Sequence, residues 1–308
     1  MPKEYLFEAT TLPMAYHKSL LALRSAPITP CPDWNTNQKE ISCTMVIPNP
    51  FTENMISKLS YADPASLEQY VQEMLDGILD FEVAQGKWEY TYHQRYAYQY
   101  QFIIDELKRN PDSRRAAIAI RNDSDIGSDD PACLQHLQFF IRNGRLDLVV
   151  LFRSNDACKA AFMNAFALIM LQKRVADELG VKVGQYTHRA NSYHCYERDF
   201  EMLDGYCSRI EKSIAEDGYY CNDERVTYSY EDDWKEQMED ARPEIAEKVA
   251  SLKKEAGIDP DTTFEPGEWI DQNILGMFTV SCCSKCGNVV PTKYKLSICP
   301  SCASPMKK

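Results

Sequence analysis

The chain has 308 residues, of which 46 are acidic and 34 basic, giving a formal net charge of −12. That length supports one core of about 200–250 residues plus a small module. The acidic balance argues against non-specific nucleic-acid binding, because it repels a phosphate backbone, but a local arginine cluster can still hold a nucleotide.

The 12 cysteines are unevenly spread, with five between residues 282 and 302. The remaining seven are scattered, as in reduced cytosolic proteins, and do not suggest a disulfide framework. Residues 1–16 carry Lys3, Glu4 and Glu8 and have no apolar signal-peptide core. The most apolar run, Ala160 to Leu171, is too short to span a bilayer and contains Asn164. The expectation is a soluble, cytoplasmic protein with no membrane partner.

In chain order, residues 1–40 give no regular reading, since Pro27, Pro30 and Pro32 interrupt it. Ile41 to Ile47 reads as a strand stopped by Pro48 and Pro50. Ser66 to Phe81 has helical spacing through Leu67, Tyr70, Val71, Met74, Leu75 and Ile78, with Ser66 as the expected N-cap. Trp88 is expected to pack in the core. Gln99 to Arg109 reads as a helix closed by Pro111, and Arg115 to Arg121 as a strand.

The most informative stretch follows. Cys133 stands just after a proline turn, and a strand runs through Phe139, Phe140 and Ile141. Arg142-Asn143-Gly144-Arg145 is a tight hairpin signal. A buried strand from Leu146 to Phe152 ends in Arg153-Ser154-Asn155-Asp156. An apolar helix from about Ala157 to Leu179 carries Asn164 and stops at Gly180. A strand from Val183 to Tyr193 then delivers His194-Cys195-Tyr196. Beyond it, a charged helix runs to about Ala215, and the aromatic stretch Tyr219 to Tyr230 suggests further strands. Asp232 to Ala256 reads as a solvated surface or bridging helix, and 257–275 as a linker rich in Gly and Pro.

The tail carries Cys283-x2-Cys286 and Cys299-x2-Cys302, separated by 12 residues. Four thiolates at this spacing suit a closed tetrahedral Zn2+ site of the zinc-ribbon type, in which the metal is structural. The expected division is a catalytic domain over 1–240, a helix and linker over 241–275, and a zinc ribbon over 276–308.

Cys133, then Arg153-Ser154-Asn155-Asp156, then Asn164, then His194-Cys195-Tyr196, preceded by Asn110-Pro111-Asp112-Ser113-Arg114-Arg115, resembles the core of the thymidylate synthase and nucleotide hydroxymethylase superfamily. Val71-Gln72-Glu73-Met74-Leu75 is similar to the family helix bearing a catalytic glutamate, and Tyr92-His93 to its Tyr-Gly segment. The resemblance implies an α/β (α+β) fold, a large mixed sheet flanked by helices, here followed by the ribbon. It also implies that Cys133 adds to C6 of a pyrimidine nucleoside monophosphate, so that C5 attacks the one-carbon unit of 5,10-methylenetetrahydrofolate. Arg153, Ser154, Arg114 and Arg115 would hold the 5′-phosphate, the adjacent arginine pair coming from the other subunit of a homodimer. Asn164 would read a uracil-type base, and His194 and Tyr196 the sugar hydroxyl. Asp156 would face the cofactor, and Glu73 and Tyr92 would serve catalysis and proton transfer.

Several positions depart from the family pattern. Leu134 follows the nucleophile where the family has histidine, Ala132 replaces a proline, and Ala160 a glycine. Asp33-Trp34-Asn35-Thr36 lacks the phosphate-binding arginine, and the closing C-terminal tail is replaced by the linker and ribbon. With less to exclude water from the transferred methylene, the balance tilts toward a hydroxymethyl product. Thymidylate synthase proper is the alternative, and a catalytically silent nucleotide-binding regulator is a third reading.

Overall fold

The computed structural model describes residues 2–51, 54–217, 226–262, 280–282, 285, 289–291, 302 and 304. It divides into two compact units, Met1–Pro260 and Asp261–Lys308.

The first unit is built on a seven-stranded mixed sheet. Its strands are β1 (Glu4–Glu8), β2 (Ile28–Cys31), β3 (Thr36–Ile47), β5 (Ala117–Ala119), β6 (Leu134–Arg142), β7 (Arg145–Asp156) and β8 (Lys182–Tyr196). They lie in the order β1-β3-β8-β7-β6-β5, with β2 paired to β3. The short strand β4 (Ile56–Ser57) instead pairs with β9 (Thr227–Tyr228). Residues 1–40 therefore hold β1, β2, the first residues of β3 and a helix, α1 (Leu12–Arg24), that the prolines had obscured. Thr11 caps α1 by accepting the Met14 N–H, with Pro13 in the first turn.

The β6–β7 hairpin forms as its sequence requires. Asn143 and Gly144 take φ of 53° and 70°, and Arg142 pairs with Arg145, the geometry of a two-residue primed turn. β7 and β8 are parallel, so the chain must cross over between them. The crossover is α5 (Ala161–Leu179), apolar nearly all round because it is covered by the sheet and by other helices. The αL residue Gly180 closes it. It begins four residues later than expected, because Asp156 Oδ1 instead accepts the N–H groups of Cys158 and Lys159 in a turn.

Helix α2 (Pro64–Asp76) is capped by Asp63, whose carboxylate accepts the Ser66 N–H at 2.7 Å. This corrects Ser66, which lies inside the first turn, as the cap. Gly77 at φ 63° ends it, and a Cβ there would collide with the His93 ring. After the short α3 (Phe81–Ala84), α4 (Tyr92–Arg109) starts seven residues earlier than the apolar spacing indicated, with Thr91 as its N-cap. The strand expected over Arg115–Arg121 contracts to β5, since only Ala117–Ala119 pair with β6.

Helices α6 (Phe200–Asp217) and α7 (Lys235–Glu255) complete the unit. The charged α7 is not merely a solvated face. It buries Met238, Ile245 and Val249 and joins α2 through Arg242–Glu68 at 2.7 Å and Lys248–Gln69 at 2.8 Å. The 241–255 part of the expected helix-and-linker stretch thus belongs to the first unit.

Strand alternation gives the sheet two different faces. Leu137, Val150, His188 and Met45 form one cross-strand row and are buried beneath the helices. Neighbouring rows, Gln138–Val149–Thr187–Val46 and His136–Leu151–Arg189–Thr44, are only partly covered. In the second unit, β10 (Val280–Cys282) and β11 (Val289–Pro291) pair antiparallel. No helix among the described residues is long and apolar enough to cross a membrane.

Candidate functional site

The carboxyl ends of β7 and β8 and the start of β6 meet at one end of the sheet. Cys133 is the residue before β6, half-buried, and its carbonyl accepts the Arg153 N–H at 2.8 Å. The loop leading into it is held on every side. Arg153 Nε donates to the carbonyls of Pro131 and Ala132 at 3.2 and 3.1 Å. Asp125 Oδ1 accepts the Ala132 N–H at 3.3 Å, and the Tyr92 hydroxyl accepts the Leu134 N–H at 3.4 Å. Asp125, almost fully buried, also takes Arg95 Nη2 at 3.3 Å, while the Arg95 guanidinium lies over the Tyr90 ring. Such a loop can place a thiol with little freedom. Burial pushes the Cys133 thiol above its ordinary value, the Arg153 guanidinium pulls it back, and Asp130 opposes that pull.

Beside this loop opens a cleft of about 240 Å³, lined by Tyr70, Glu73, Met74, Trp88, Tyr90, Tyr92 and Asp130 among others. Glu73 is not a solvated helix glutamate. It is half-buried, accepts Gln69 Nε2 at 2.6 Å, and burial raises its carboxyl above the usual range. Burial likewise raises Tyr92 well above the ordinary phenol value and pushes Tyr90 up to about 12. Trp88 was expected in the core, yet it is 53% exposed on the cleft wall, its Nε1 donating to Glu82 Oε2 at 2.6 Å. That buried carboxylate gives the indole N–H a partner at the surface, so the ring need not enter the core.

A second group forms where β7 and β8 end side by side, with Ser154 opposite Ser192 and Asp156 opposite His194. Ser154 Oγ lies 3.4 Å from His194 Nδ1, and the His194 and Tyr196 rings meet edge-on at 4.7 Å. Burial lowers the His194 pKa, with the Asp156 carboxylate opposing. Asn164, 4% exposed on the first turn of α5, has its Oδ1 bonded by the Tyr70 hydroxyl.

Arg114 and Arg115 are exposed and do not join this cluster. They precede β5, whose pairing sets them near Phe140, about seven residues or roughly 23 Å along β6 from Cys133. Of the four tail cysteines, Cys302 is described, and Cys283, Cys286 and Cys299 lie outside the described residues. Among the described residues no group of three or more His, Cys, Asp or Glu could hold a metal. Cys31, Cys43, Cys158, Cys195 and Cys207 are free and buried, the setting of unreactive packing thiols. Cys221 lies outside the described residues.

The sequence reading missed Arg95, Asp125 and the partnership of Tyr70 with Asn164. Tyr70 did carry a signal, since it lies one turn before Glu73 and therefore on the same helix face. Arg95 and Asp125 carried none, because only the fold joins them.

Comparison with known proteins bears on this arrangement. Residues 60–232 match the family model described as thymidylate synthase. A Methanocaldococcus jannaschii protein provisionally named a thymidylate synthase is 36% identical over 185 residues, covering 56% of this chain and 83% of the relative. A Methanosarcina barkeri protein with the same provisional name is 28% identical over 203 residues, covering 65% and 93%. Among solved structures, the thermostable thymidylate synthase A of Bacillus subtilis superposes with a TM-score of 0.54 at 18% identity, over 65% of this chain and 85% of that one. This last likeness concerns the fold.

Proposed function

The chain belongs to the thymidylate synthase family, and from that premise we propose that it transfers a one-carbon unit from methylenetetrahydrofolate to C5 of a uracil-type pyrimidine nucleotide, with hydroxymethyl as the favoured product. The observation that carries this reading is the convergence on Cys133. The thiol sits on a loop gripped by Arg153, at the sheet end that also gathers Ser154, His194, Tyr196 and Asn164.

In this proposal the Cys133 thiolate, favoured by Arg153, adds to C6 of the ring and makes C5 nucleophilic. Arg153 and Ser154 hold the 5′-phosphate, and Asn164 pairs with the base edge. His194 and Tyr196 meet the sugar hydroxyl. Glu73, with its raised carboxyl, and Tyr92, whose hydroxyl lies against the Cys133 loop, carry protons. C5 then loses its proton as the bond from the methylene carbon to the folate nitrogen breaks and releases tetrahydrofolate. Water adds to that carbon to give hydroxymethyl, and the C6–S bond breaks to restore C5=C6 and return the Cys133 thiolate. The lining of the cleft supports a carrier subsite there. Trp88, Tyr90 and Tyr92 offer aromatic faces to a flat pterin, and Glu73, Glu89 and Asp130 offer acceptors for its N–H groups. Methylenetetrahydrofolate supplies the one-carbon unit and, where the product is methyl, the hydride. Asp156 faces the carrier side of the site in this reading, and its Oδ1 also holds the turn into α5.

The homodimer belongs to the same proposal. It is supported by the partly covered sheet face and by the exposed Arg114 and Arg115, which lie too far from their own Cys133 to serve it. The four cysteines Cys283, Cys286, Cys299 and Cys302 are proposed as a structural Zn2+ ribbon. β10 and β11 support this, since the segment joining them carries the first Cys-x2-Cys pair. A cytoplasmic location is proposed on the reduced-cysteine pattern.

The test is a mass-spectrometric product assay with methylenetetrahydrofolate and, separately, dUMP, UMP, dCMP and CMP. A hydroxymethylated uracil nucleotide with release of tetrahydrofolate is expected. A methylated product with dihydrofolate would replace the favoured product with thymidylate synthase chemistry. No product from any nucleotide would overturn the reading in favour of a silent regulator. Cys133→Ser should abolish turnover and keep nucleotide binding.

A further inference from the structure

A primary amide can face a base edge in two ways. With Oδ1 toward N3 and Nδ2 toward position 4, asparagine matches uracil, which offers N3–H and O4. With the amide turned over, it matches cytosine, which offers a bare N3 and an exocyclic amine. An unrestrained asparagine would therefore discriminate poorly, and selectivity requires something that forbids one orientation.

In this protein the amide of Asn164 is not unrestrained. The Tyr70 hydroxyl donates to Asn164 Oδ1, and among the described residues Nδ2 makes no hydrogen bond. The two residues stand 94 positions apart on α2 and α5, helices packed directly on one another. Asn164 is 4% exposed and Tyr70 lines the cleft beside Glu73. Oδ1 has two lone pairs, so one serves Tyr70 and the other stays available to an N–H donor. Turning the amide over would set Nδ2 against the hydroxyl and strip the phenolic proton of its acceptor in a buried place. The hydroxyl also stays protonated, because burial and the nearby Glu73 hold its pKa well above the ordinary phenol value.

We infer that Tyr70 is a positioning residue that locks the Asn164 amide in the uracil-reading orientation and thereby sets base selectivity. The inference rests on the proposed role of Asn164 as base reader, and deepens it by assigning the selectivity to a tyrosine on a different helix. Tyr70 need not touch the base.

The experiment measures equilibrium binding of dUMP and of dCMP to the full-length chain by titration calorimetry, for wild type, Tyr70→Phe and Asn164→Asp. Wild type is expected to prefer dUMP. Tyr70→Phe should lower the dUMP-to-dCMP affinity ratio about tenfold, the discrimination set by one buried hydrogen bond. Because the ratio is taken within one variant, a general loss of stability cancels from it, and a thermal melt of Tyr70→Phe checks the fold. Asn164→Asp should move the preference toward dCMP. If Tyr70→Phe keeps the wild-type ratio while Asn164→Asp shifts it, the lock is refuted and the base reader stands. If neither variant shifts it, the base-reading role fails and the lock fails with it.

Discussion

Arg153 Nε donates to the Ala132 carbonyl at 3.1 Å, one residue before Cys133. The same guanidinium therefore shapes the loop and lowers the cost of a thiolate on it, against the burial that raises the thiol. Lysine would keep the charge and lose the planar fork that grips adjacent carbonyls. Arg153→Ala removes the opposing cation, so the Cys133 pKa rises further and the thiolate fraction at pH 8 falls. Alkylation of Cys133 by iodoacetamide at that pH should slow by about tenfold, one pKa unit of lost charge stabilisation. An unchanged rate would remove Arg153 from the thiol's environment.

Asp125 joins two halves of the site. It is 3% exposed, accepts the N–H groups of Asn122 and Ala132, and pairs with Arg95 over the Tyr90 ring. Removing one partner leaves a buried guanidinium uncompensated, at a cost of about 3–5 kcal/mol. Asp125→Ala should therefore lower the melting temperature by roughly 10 °C in a domain of this size. Asp125→Asn, which keeps an acceptor, should lose less. Equal losses in the two variants would mean that the charge, which both remove, carries the whole effect and the retained acceptor none.

The hairpin, the three long strands and α5 were legible because each is specified locally. Asn143-Gly144 demands a primed turn, alternation marks β6, and Gly180 ends an apolar helix. The order of Cys133, Arg153, Asn164 and His194 also survives in the sequence, since all four lie on consecutive elements. What stayed hidden depends on partners distant in the chain. β1 is stabilised by parallel pairing to β3, and the bond from Tyr70 to Asn164 spans 94 positions. Trp88 was misjudged for a related reason, because its partner Glu82 is buried on α3 and nothing in the local sequence marks the pair.

Buried histidines set a pH dependence of folding. His188 lies between Tyr186 and Asn155, 2.9 and 3.2 Å away, and burial lowers its pKa from 6.5 to about 3. His17, 2.8 Å from Ser57, is lowered to about 3 by the same cause. Each stays neutral in the fold and binds a proton once unfolded below pH 6.5. Their contribution is thus complete above pH 6.5 and is lost progressively as pH falls toward 3. Between pH 7 and pH 5, each should cost about 2 kcal/mol, or about 4 kcal/mol together. Urea titrations at the two values should show this, and His188→Gln should remove about half of the difference. A variant with the full wild-type difference would mean that His188 is protonated in the fold.

The proposed four-cysteine zinc site is testable by its metal. Purified protein should carry one zinc per chain by elemental analysis, since four thiolates hold Zn2+ tightly at neutral pH. Cys299→Ser with Cys302→Ser should release the metal and change dUMP affinity by less than about twofold, a small effect for a structural site outside the catalytic unit. Wild-type protein purified without chelator and lacking zinc would sink the four-cysteine assignment.

The position of Trp88 bears on both the carrier and the product. Its ring is 53% exposed on the cleft wall and is fixed by the bond to Glu82 at 2.6 Å. A pterin stacked against it would gain about 0.5–1.5 kcal/mol beyond area burial. Trp88→Ala should therefore raise the KM for methylenetetrahydrofolate about fivefold to tenfold and leave dUMP binding unchanged. The same truncation opens the cleft to water, which favours capture of the methylene as hydroxymethyl over reduction to methyl. Whatever methyl product the wild type forms should fall relative to hydroxymethyl in the variant. An unchanged KM would take Trp88 out of the carrier subsite, and a product ratio moving toward methyl would reverse the water-exclusion argument.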